Sequence, residues 1–499
     1  MPFSALGKET PHNRTLGVDK AAKINVLELS SLREAQSTWA KLPIKERLAV
    51  LHRARFAMSR MAHSFSDAMP SNLCRTSADT RVAEVLPLLA ACSFLEQRAE
   101  KILRVRRLGR RGLPFLLTGV ISEVQRVPYG VVLILGPANY PLFLPGVQVL
   151  QALAAGNAVV LKPGRGGGSV AKLFAEALYA AGLPRALLQV TDDSIEAAEE
   201  ALRSFVDKVI FTGSALNARK VLRVCAEKII PCVVEASGCD AVVVMPSADL
   251  KHVVKAITFG MRLNGSATCM APRRVLLLDA SEDRKRTLIG MLSTAFDQCD
   301  PTRLSEATRA NLCELLEEAK LLGARVHGSI NAEQRPILVT DVRPEMGLAQ
   351  ADLFAPVLSV IDVSKETEVI AAQETCPFAL TASVFGDEKD ARRLASVLNV
   401  GNVQINDVII GTADPRVPFG GRKESGYGTT RGTEGLLEMT VAKAITVQRS
   451  KSLRHFDATR EQHKELFDGI ILASHSQTIR ERWQGLVTAI RAVVRLRQK

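Results

Sequence analysis

From residue 128 the chain repeats one texture: a short β-branched apolar run, a turn bearing Gly or Pro, then a longer stretch with helical apolar spacing. Runs at 131–135 (Val-Val-Leu-Ile-Leu), 158–161, 187–190 and 209–211 are too short for helices and too apolar for loops, so they read as buried strands. The spacers at 144–154, 170–181 and 215–228 read as helices. Strands separated by helices are forced into parallel pairing, because only a crossover returns the chain to the same end of the sheet. The pattern therefore specifies a doubly wound α/β layer, and such sheets bind ligands at the carboxyl ends of their strands.

A second α/β region follows from about residue 238, with helices expected at 250–263, 283–296 and 305–322 and strands at 241–245, 274–278, 357–362 and 381–385. Before the alternation starts, residues 27–103 have helical spacing through Trp39, Leu42, Leu48, Leu51, Met58, Val85, Leu88, Leu89, Cys92 and Leu95. Residues 116–127 read as a hairpin or arm, 417–428 as a glycine-dense loop, and 439–447 as an edge strand.

A length of 499 residues and a hydrophobic content of 47% call for two or three domains with large cores. No apolar run approaches a membrane span, and the first nine residues lack the charged-then-apolar design of a signal peptide. The nine cysteines show no metal-type spacing, so no metal site is expected. They read as reduced thiols of a cytoplasmic protein. The net charge of +13 raises nucleic acid as a partner. The charge gathers at 104–111 and in the C-terminal tail, however, and aromatic content of 5% leaves few platforms for stacking bases, so no nucleic-acid function is assigned.

Two residues carry the chemistry. Cys269 ends Asn-Gly-Ser-Ala-Thr-Cys, and Glu235 lies 34 positions upstream in Val-Val-Glu-Ala-Ser-Gly. A thiol nucleophile needs a base and slim neighbours that admit a substrate carbon. Each residue also has a structural reading: a free Cys fills cores, a Glu ends a strand, Asn139 caps the helix after it, and Lys162 is a solvated strand-end lysine.

Further blocks lift these residues above that reading. Pro137-Ala-Asn139-Tyr-Pro141, Ala154-Ala-Gly-Asn-Ala-Val-Val-Leu-Lys162-Pro163, Phe211-Thr-Gly213-Ser214, Asp352-Leu-Phe354-Ala-Pro356-Val, Asn406 and Pro418-Phe-Gly-Gly-Arg-Lys-Glu-Ser-Gly426 occur in order. With Glu235 and Cys269, this series over residues 30–449 resembles the aldehyde dehydrogenase superfamily.

The resemblance implies a Rossmann-type cofactor domain with N-terminal helices (1–112 and 128–237), an α/β catalytic domain (238–430) and an oligomerisation arm (113–127 with the strand at 431–449). It implies oxidation of a small-molecule aldehyde to a carboxylic acid through a thiohemiacetal and a thioester on Cys269. Glu235 would activate the hydrolytic water, and Asn139 would stabilise the oxyanion. NAD or NADP would be held by Lys162, Arg165, Gly213, Ser214, Asp352 and Phe354. Relatives pair their arms across subunits, so a homodimer or homotetramer is expected.

Departures from the family pattern sharpen these expectations. Arg165 stands where the family often has Glu and would favour the 2′-phosphate of NADP. Asp352 is one methylene shorter than the usual Glu, Ala218 replaces a common Gly, and Ser266-Ala267 replace Gly-Gln. A coenzyme A-acylating enzyme and a catalytically weak scaffold of the same fold are the alternatives. The tail at 450–499 exceeds the family's usual end. Trp483, Val487, Ile490 and Val494 share one helical face there, with Arg480, Arg491 and Arg495 opposite. It is read first as packed on its own protein, and second as lying on an anionic membrane or docking on a partner.

Overall fold

The computed structural model describes residues 26–114, 117, 119–450, 456 and 458–498. The readings placed on the first nine residues, on residues 115, 116 and 118 of the arm and on residues 451–455, 457 and 499 of the tail lie outside these. The chain divides into two compact units: residues 1–105 with 125–443, and residues 106–124 with 444–499.

The first unit contains two large sheets. One has six strands in the order Gly426–Tyr427, Cys232–Ala236, Lys208–Gly213, Val131–Leu135, Ala158–Lys162 and Leu188–Val190. All neighbours pair in parallel except the first two, which are antiparallel. Val131–Leu135 is buried along its whole length, as a continuous apolar run in a two-faced parallel sheet should be. The strands on its two sides come from opposite directions of winding, so the crevice at its carboxyl end is a topological switch point. Helices Phe143–Ala155, Gly168–Ala180 and Ala215–Lys228 provide the crossovers. Trp39, Leu51, Met58, Leu88 and Leu95 from the N-terminal helices complete the core around this sheet.

The other sheet has seven strands in the order Arg325–His327, Ile337–Thr340, Val357–Val363, Pro272–Leu278, Asp240–Val244, Thr381–Phe385 and Asn402–Ile405. Its side chains alternate between two cores, as the pleat requires. Ala241, Val243, Leu276 and Leu278 face one, and Val242, Val244, Val275 and Leu277 face the other.

The expected helices appear at Leu250–Arg262, Glu282–Asp297 and Glu306–Leu321. The sequence reading missed the helix Ile195–Arg203 and the strands Arg325–His327 and Asn402–Ile405. The two strands are only three and four residues long, and the apolar face of the helix is built largely of alanine, through Ala197 and Ala201 with Leu202.

The second unit includes the strand Arg106–Leu108, residues 120–124 and 444–448 of the strands Val120–Pro128 and Thr440–Gln448, and a hairpin of helices Lys464–His475 and Ile479–Arg497. The hairpin closes through small residues. A Cβ on Gly469 would lie 2.5 Å from Ala489 N, and one on Gly485 would lie 2.3 Å from Ala473 N. The tail helix thus packs on its own protein through Gly485, Ala489 and Ala492, and the face bearing Trp483, Ile490 and Val494 stays exposed.

Candidate active site

Glu235 ends the strand Cys232–Ala236, opposite Thr212 on one neighbour and Gly426 on the other. Cys269 follows the helix Leu250–Arg262 and a short turn, and its carbonyl accepts a hydrogen bond from Gly238 N at 3.2 Å. That bond ties the segment leaving the Glu235 strand to Cys269. Asn139 lies in the turn after Val131–Leu135. Cys269, Glu235 and Asn139 line one cavity of about 1630 Å³, together with Gly213, Ser214, Asp352 and Phe354. Lys162 and Arg165 are not among its lining residues. They stand at the carboxyl end of the neighbouring strand Ala158–Lys162, Lys162 half-buried and Arg165 exposed.

The charges in the cavity are finely opposed. Burial pushes the Glu235 carboxyl above its ordinary range, while the nearby Arg431 guanidinium and the Thr430 hydroxyl, donating at 2.9 Å, pull it back. A carboxylate raised in this way is a stronger base near neutral pH. Burial likewise raises the Cys269 thiol, reinforced by the carboxylates of Glu235 and Asp240 and opposed by Arg431. Burial and the two carboxylates thus favour the neutral thiol form of Cys269. Asp352 is raised by burial and held back by a hydrogen bond from Ser237 and by the charge of Arg273.

The backbone before Cys269 is strained. Asn264, Gly265 and Ser266 are consecutive left-handed residues, with φ of 54°, 57° and 64°. Such conformations cost about 1–2 kcal/mol for each non-Gly residue, so something must hold them. Two buried arginines do. Arg75 donates to Asn264 Oδ1 at 2.6 Å and to the Asn139 carbonyl, and pairs with the fully buried Glu84. Arg273 donates to Ser266 Oγ at 2.7 Å and to the Ser266 carbonyl at 2.6 Å. Ser266 in place of a family glycine thus keeps the glycine-like turn, because its hydroxyl is bonded to Arg273.

Asn264 and Asn139 lock the turn further. The Asn264 amide donates to the carbonyls of Asn139 and Ala267, at 3.1 and 2.9 Å, and the Asn139 amide donates to Ala267 O at 2.9 Å. An amide nitrogen carries two hydrogens, so Asn139 keeps one for a ligand. Glu84 accepts from the N–H groups of Leu142 and Phe143 and so caps the helix that starts just after Asn139. Sequence reasoning missed Arg75, Glu84, Arg273, Thr430 and Arg431. The signal available was charged residues inside apolar surroundings, as in Pro-Arg273-Arg274-Val-Leu-Leu-Leu.

The residues present fit a dinucleotide. Ser214 caps the helix Ala215–Lys228 through Asn217 N, presenting a helix N-terminus of the kind that receives phosphates. Beside it, the turns after two strands meet without room for a side chain: a Cβ on Gly164 would lie 2.1 Å from Pro137 O. Burial lowers the pKa of Lys162, while Asp193 and Asp192 support its charge. The cavity exceeds the ~300–1,000 Å³ of a single-ligand pocket, enough for a cofactor and an aldehyde together.

Comparison with known proteins agrees with this geometry. The sequence model of the aldehyde dehydrogenase family matches residues 20–445. The 4,4'-diapolycopene aldehyde oxidase of a Methylomonas species is 29% identical over 434 residues, covering 85% of this chain and 82% of that protein. A Mycobacterium tuberculosis protein whose name makes it a candidate NADP(+)-linked succinate-semialdehyde dehydrogenase is 29% identical over 453 residues, covering 87% and 86%. The structure of an aldehyde dehydrogenase from Mycobacterium tuberculosis with NAD+ superposes with a TM-score of 0.77 at 25% identity, covering 85% and 90%. With its motifs in order, its parallel sheets and this breadth of match, the chain belongs to the aldehyde dehydrogenase family, whose members oxidise aldehydes with NAD or NADP.

Proposed function

We propose that Cys269 is the nucleophile, Glu235 the base, and the Asn139 amide with the Cys269 backbone N–H the oxyanion donors. Lys162, Arg165, Gly213, Ser214, Asp352 and Phe354 would hold the dinucleotide. The observation that carries this reading is that a thiol, a buried carboxyl of raised pKa and a half-free amide open on one cavity beside a capped helix N-terminus. The thiol proton passes to a base as sulfur bonds to the aldehyde carbon, and the carbonyl oxygen becomes an oxyanion facing Asn139. The bound nicotinamide supplies a two-electron acceptor for the hydride that leaves this carbon. Glu235 then takes a proton from water as its oxygen attacks the thioester, the C–S bond breaks, and acid and thiol are released. A positioned base of this kind contributes about 10²–10⁴-fold.

A pre-steady-state burst of NAD(P)H tests the assignment. The burst vanishes in Cys269→Ala and survives in Glu235→Gln, with steady turnover lost. A burst retained in Cys269→Ala overturns the reading, absence of any burst in the wild type favours the scaffold alternative, and acid release only with added coenzyme A favours the acylating one. NADP is proposed to serve at least as well as NAD, because the exposed Arg165 guanidinium suits a phosphate. Comparing kcat/KM for the two cofactors in the wild type and in Arg165→Glu tests this, and a strong NAD preference in the wild type refutes it. The names of the relatives put apolar polyene aldehydes and succinate semialdehyde on the same substrate panel.

A homodimer or dimer-based tetramer built through the arm strands completes the proposal. It is supported by exposed Leu108, Ile121 and Val447 on those strands and tested by light scattering. Cytoplasmic residence rests on nine free thiols and is tested by cell fractionation.

A further inference from the structure

The second unit carries most of the molecule's charge. Its residues, 106–124 and 444–499, include 15 Lys and Arg against six Asp and Glu, a net +9 of the chain's +13. The same unit presents a row of large apolar side chains to solvent. Ile479, Trp483, Leu486, Ile490 and Val494 recur every three or four residues along the helix Ile479–Arg497, and are exposed by 79%, 63%, 45%, 54% and 50%. At 100° per residue they fall within one narrow stripe. Gly485, Ala489 and Ala492, which close the hairpin, lie on a different side of the helix. The partner helix therefore meets a different side of Ile479–Arg497 and leaves the stripe exposed. Arg480, Arg491 and Arg495 run along its flank, and Arg495 also reaches Glu465 of the partner helix at 2.9 Å.

We propose that this stripe docks on an anionic lipid surface. An amphipathic helix lies in the interface when its apolar residues enter the headgroup boundary and its cations meet acidic lipids. Trp483, one turn into the stripe, is suited to that depth, with an apolar body and a polar N–H. Among the described residues no helix is long and apolar enough to cross a membrane, so the contact is peripheral. A second copy of the chain is the weaker occupant. Stable protein interfaces take about 20–30 residues a side, whereas this stripe offers five flanked by like charges that would repel their counterparts. Nucleic acid matches the charge but gives the aliphatic row nothing to bury against.

The chain contains two tryptophans, which makes the test direct. Trp39 is buried, with its Nε1–H donating to Leu153 O at 2.9 Å, whereas Trp483 is exposed. The full-length protein is titrated with vesicles of phosphatidylcholine alone or with about one third phosphatidylglycerol, and Trp emission and flotation are followed. The expected result is a blue shift and co-flotation with the acidic vesicles only, at least tenfold tighter than with neutral ones and weakened at least fivefold by 0.5 M salt. Trp483→Ser/Ile490→Ser abolishes flotation, and Arg480→Glu/Arg491→Glu weakens it at least tenfold. Both variants retain the wild-type rate on a soluble aldehyde. That rate reports the catalytic reading separately, so failure of either proposal leaves the other standing. Any of three results overturns the proposal: no flotation with acidic vesicles, a blue shift that follows protein concentration without lipid (a second copy), or displacement from vesicles by duplex DNA at equal phosphate.

Discussion

Arg75 is the residue whose loss separates stability from chemistry. It is buried, as is Glu84, and the two form an ion pair in which Glu84 also takes two backbone N–H groups. Burial already pushes the Glu84 carboxyl above its ordinary range, against the pull of Arg75. In Arg75→Leu that carboxylate loses its countercharge, and leaving one partner of a buried pair alone costs about 3–5 kcal/mol. In Arg75→Leu/Glu84→Gln no buried charge remains, and the Gln carbonyl still accepts from Leu142 and Phe143. The double variant should therefore be more stable than the two single costs predict, with a coupling of about 1–3 kcal/mol. Urea unfolding followed by circular dichroism measures all four corners of the cycle. Activity should behave differently. Both variants release the Asn139 carbonyl and the Asn264 side chain from Arg75, and a displacement of ~1 Å at a reacting centre costs about 10²-fold. The kcat should thus stay low in the double variant although stability returns. Additive stability losses would refute the coupling of Arg75 with Glu84, and a kcat that recovers with stability would refute the claim that Arg75 positions Asn139, the proposed oxyanion donor.

Three further outcomes are expected. Asp240, buried beside the site, has its carboxyl pushed up to about 7 by burial, against hydrogen bonds from Thr381. The folded state then prefers the protonated form, so its contribution is fully present below the unfolded carboxyl range and is lost as pH rises through about 7. From pH 5 to 8 that is about 3 kcal/mol at ~1.4 kcal/mol per unit; Asp240→Asn should flatten this part of the stability profile, and an unchanged profile refutes the assignment. Gly164→Ala should lose soluble protein or cofactor affinity, because its Cβ would meet Pro137 O at 2.1 Å, whereas Gly168→Ala, which meets nothing within 4 Å, should be silent; equal behaviour of the two argues against the close crossing. Arg273→Met should cost at least as much stability as a typical buried cavity change, about 2–5 kcal/mol, since the Ser266 turn loses both its donors; a loss below about 1 kcal/mol means the turn holds itself.

Much of this was readable in the chain because strong periods and compact motifs report on local geometry. The run 131–135 could only be a buried strand, and the Gly-Asn-Ala-Val-Val-Leu-Lys162 block placed a lysine at a strand's end, where it stands. Cys269, Glu235 and Asn139 were identifiable by their neighbours and do share a cavity. The supports were not legible. Arg75 lies 189 positions from its partner Asn264, and Thr430 lies 195 from Glu235. No local spacing records such pairings, since they exist only once sheets and helices have met. The tail was half legible: the apolar face of the helix was plain, but that a seam of glycine and alanine would do the packing depends on how closely two backbones approach.

The strand bearing Glu235 has its outer neighbour in Gly426–Tyr427, which arrives roughly 190 residues later in synthesis. Lys208 of the adjacent strand likewise awaits Glu438, and Asn157 awaits the Met439 carbonyl. The cofactor half is therefore unfinished until the ribosome has delivered nearly the whole family segment. A nascent chain stalled before residue 426 would expose an unpaired edge on the strand that carries Glu235, so chaperone protection should be needed longest for the half that is made first.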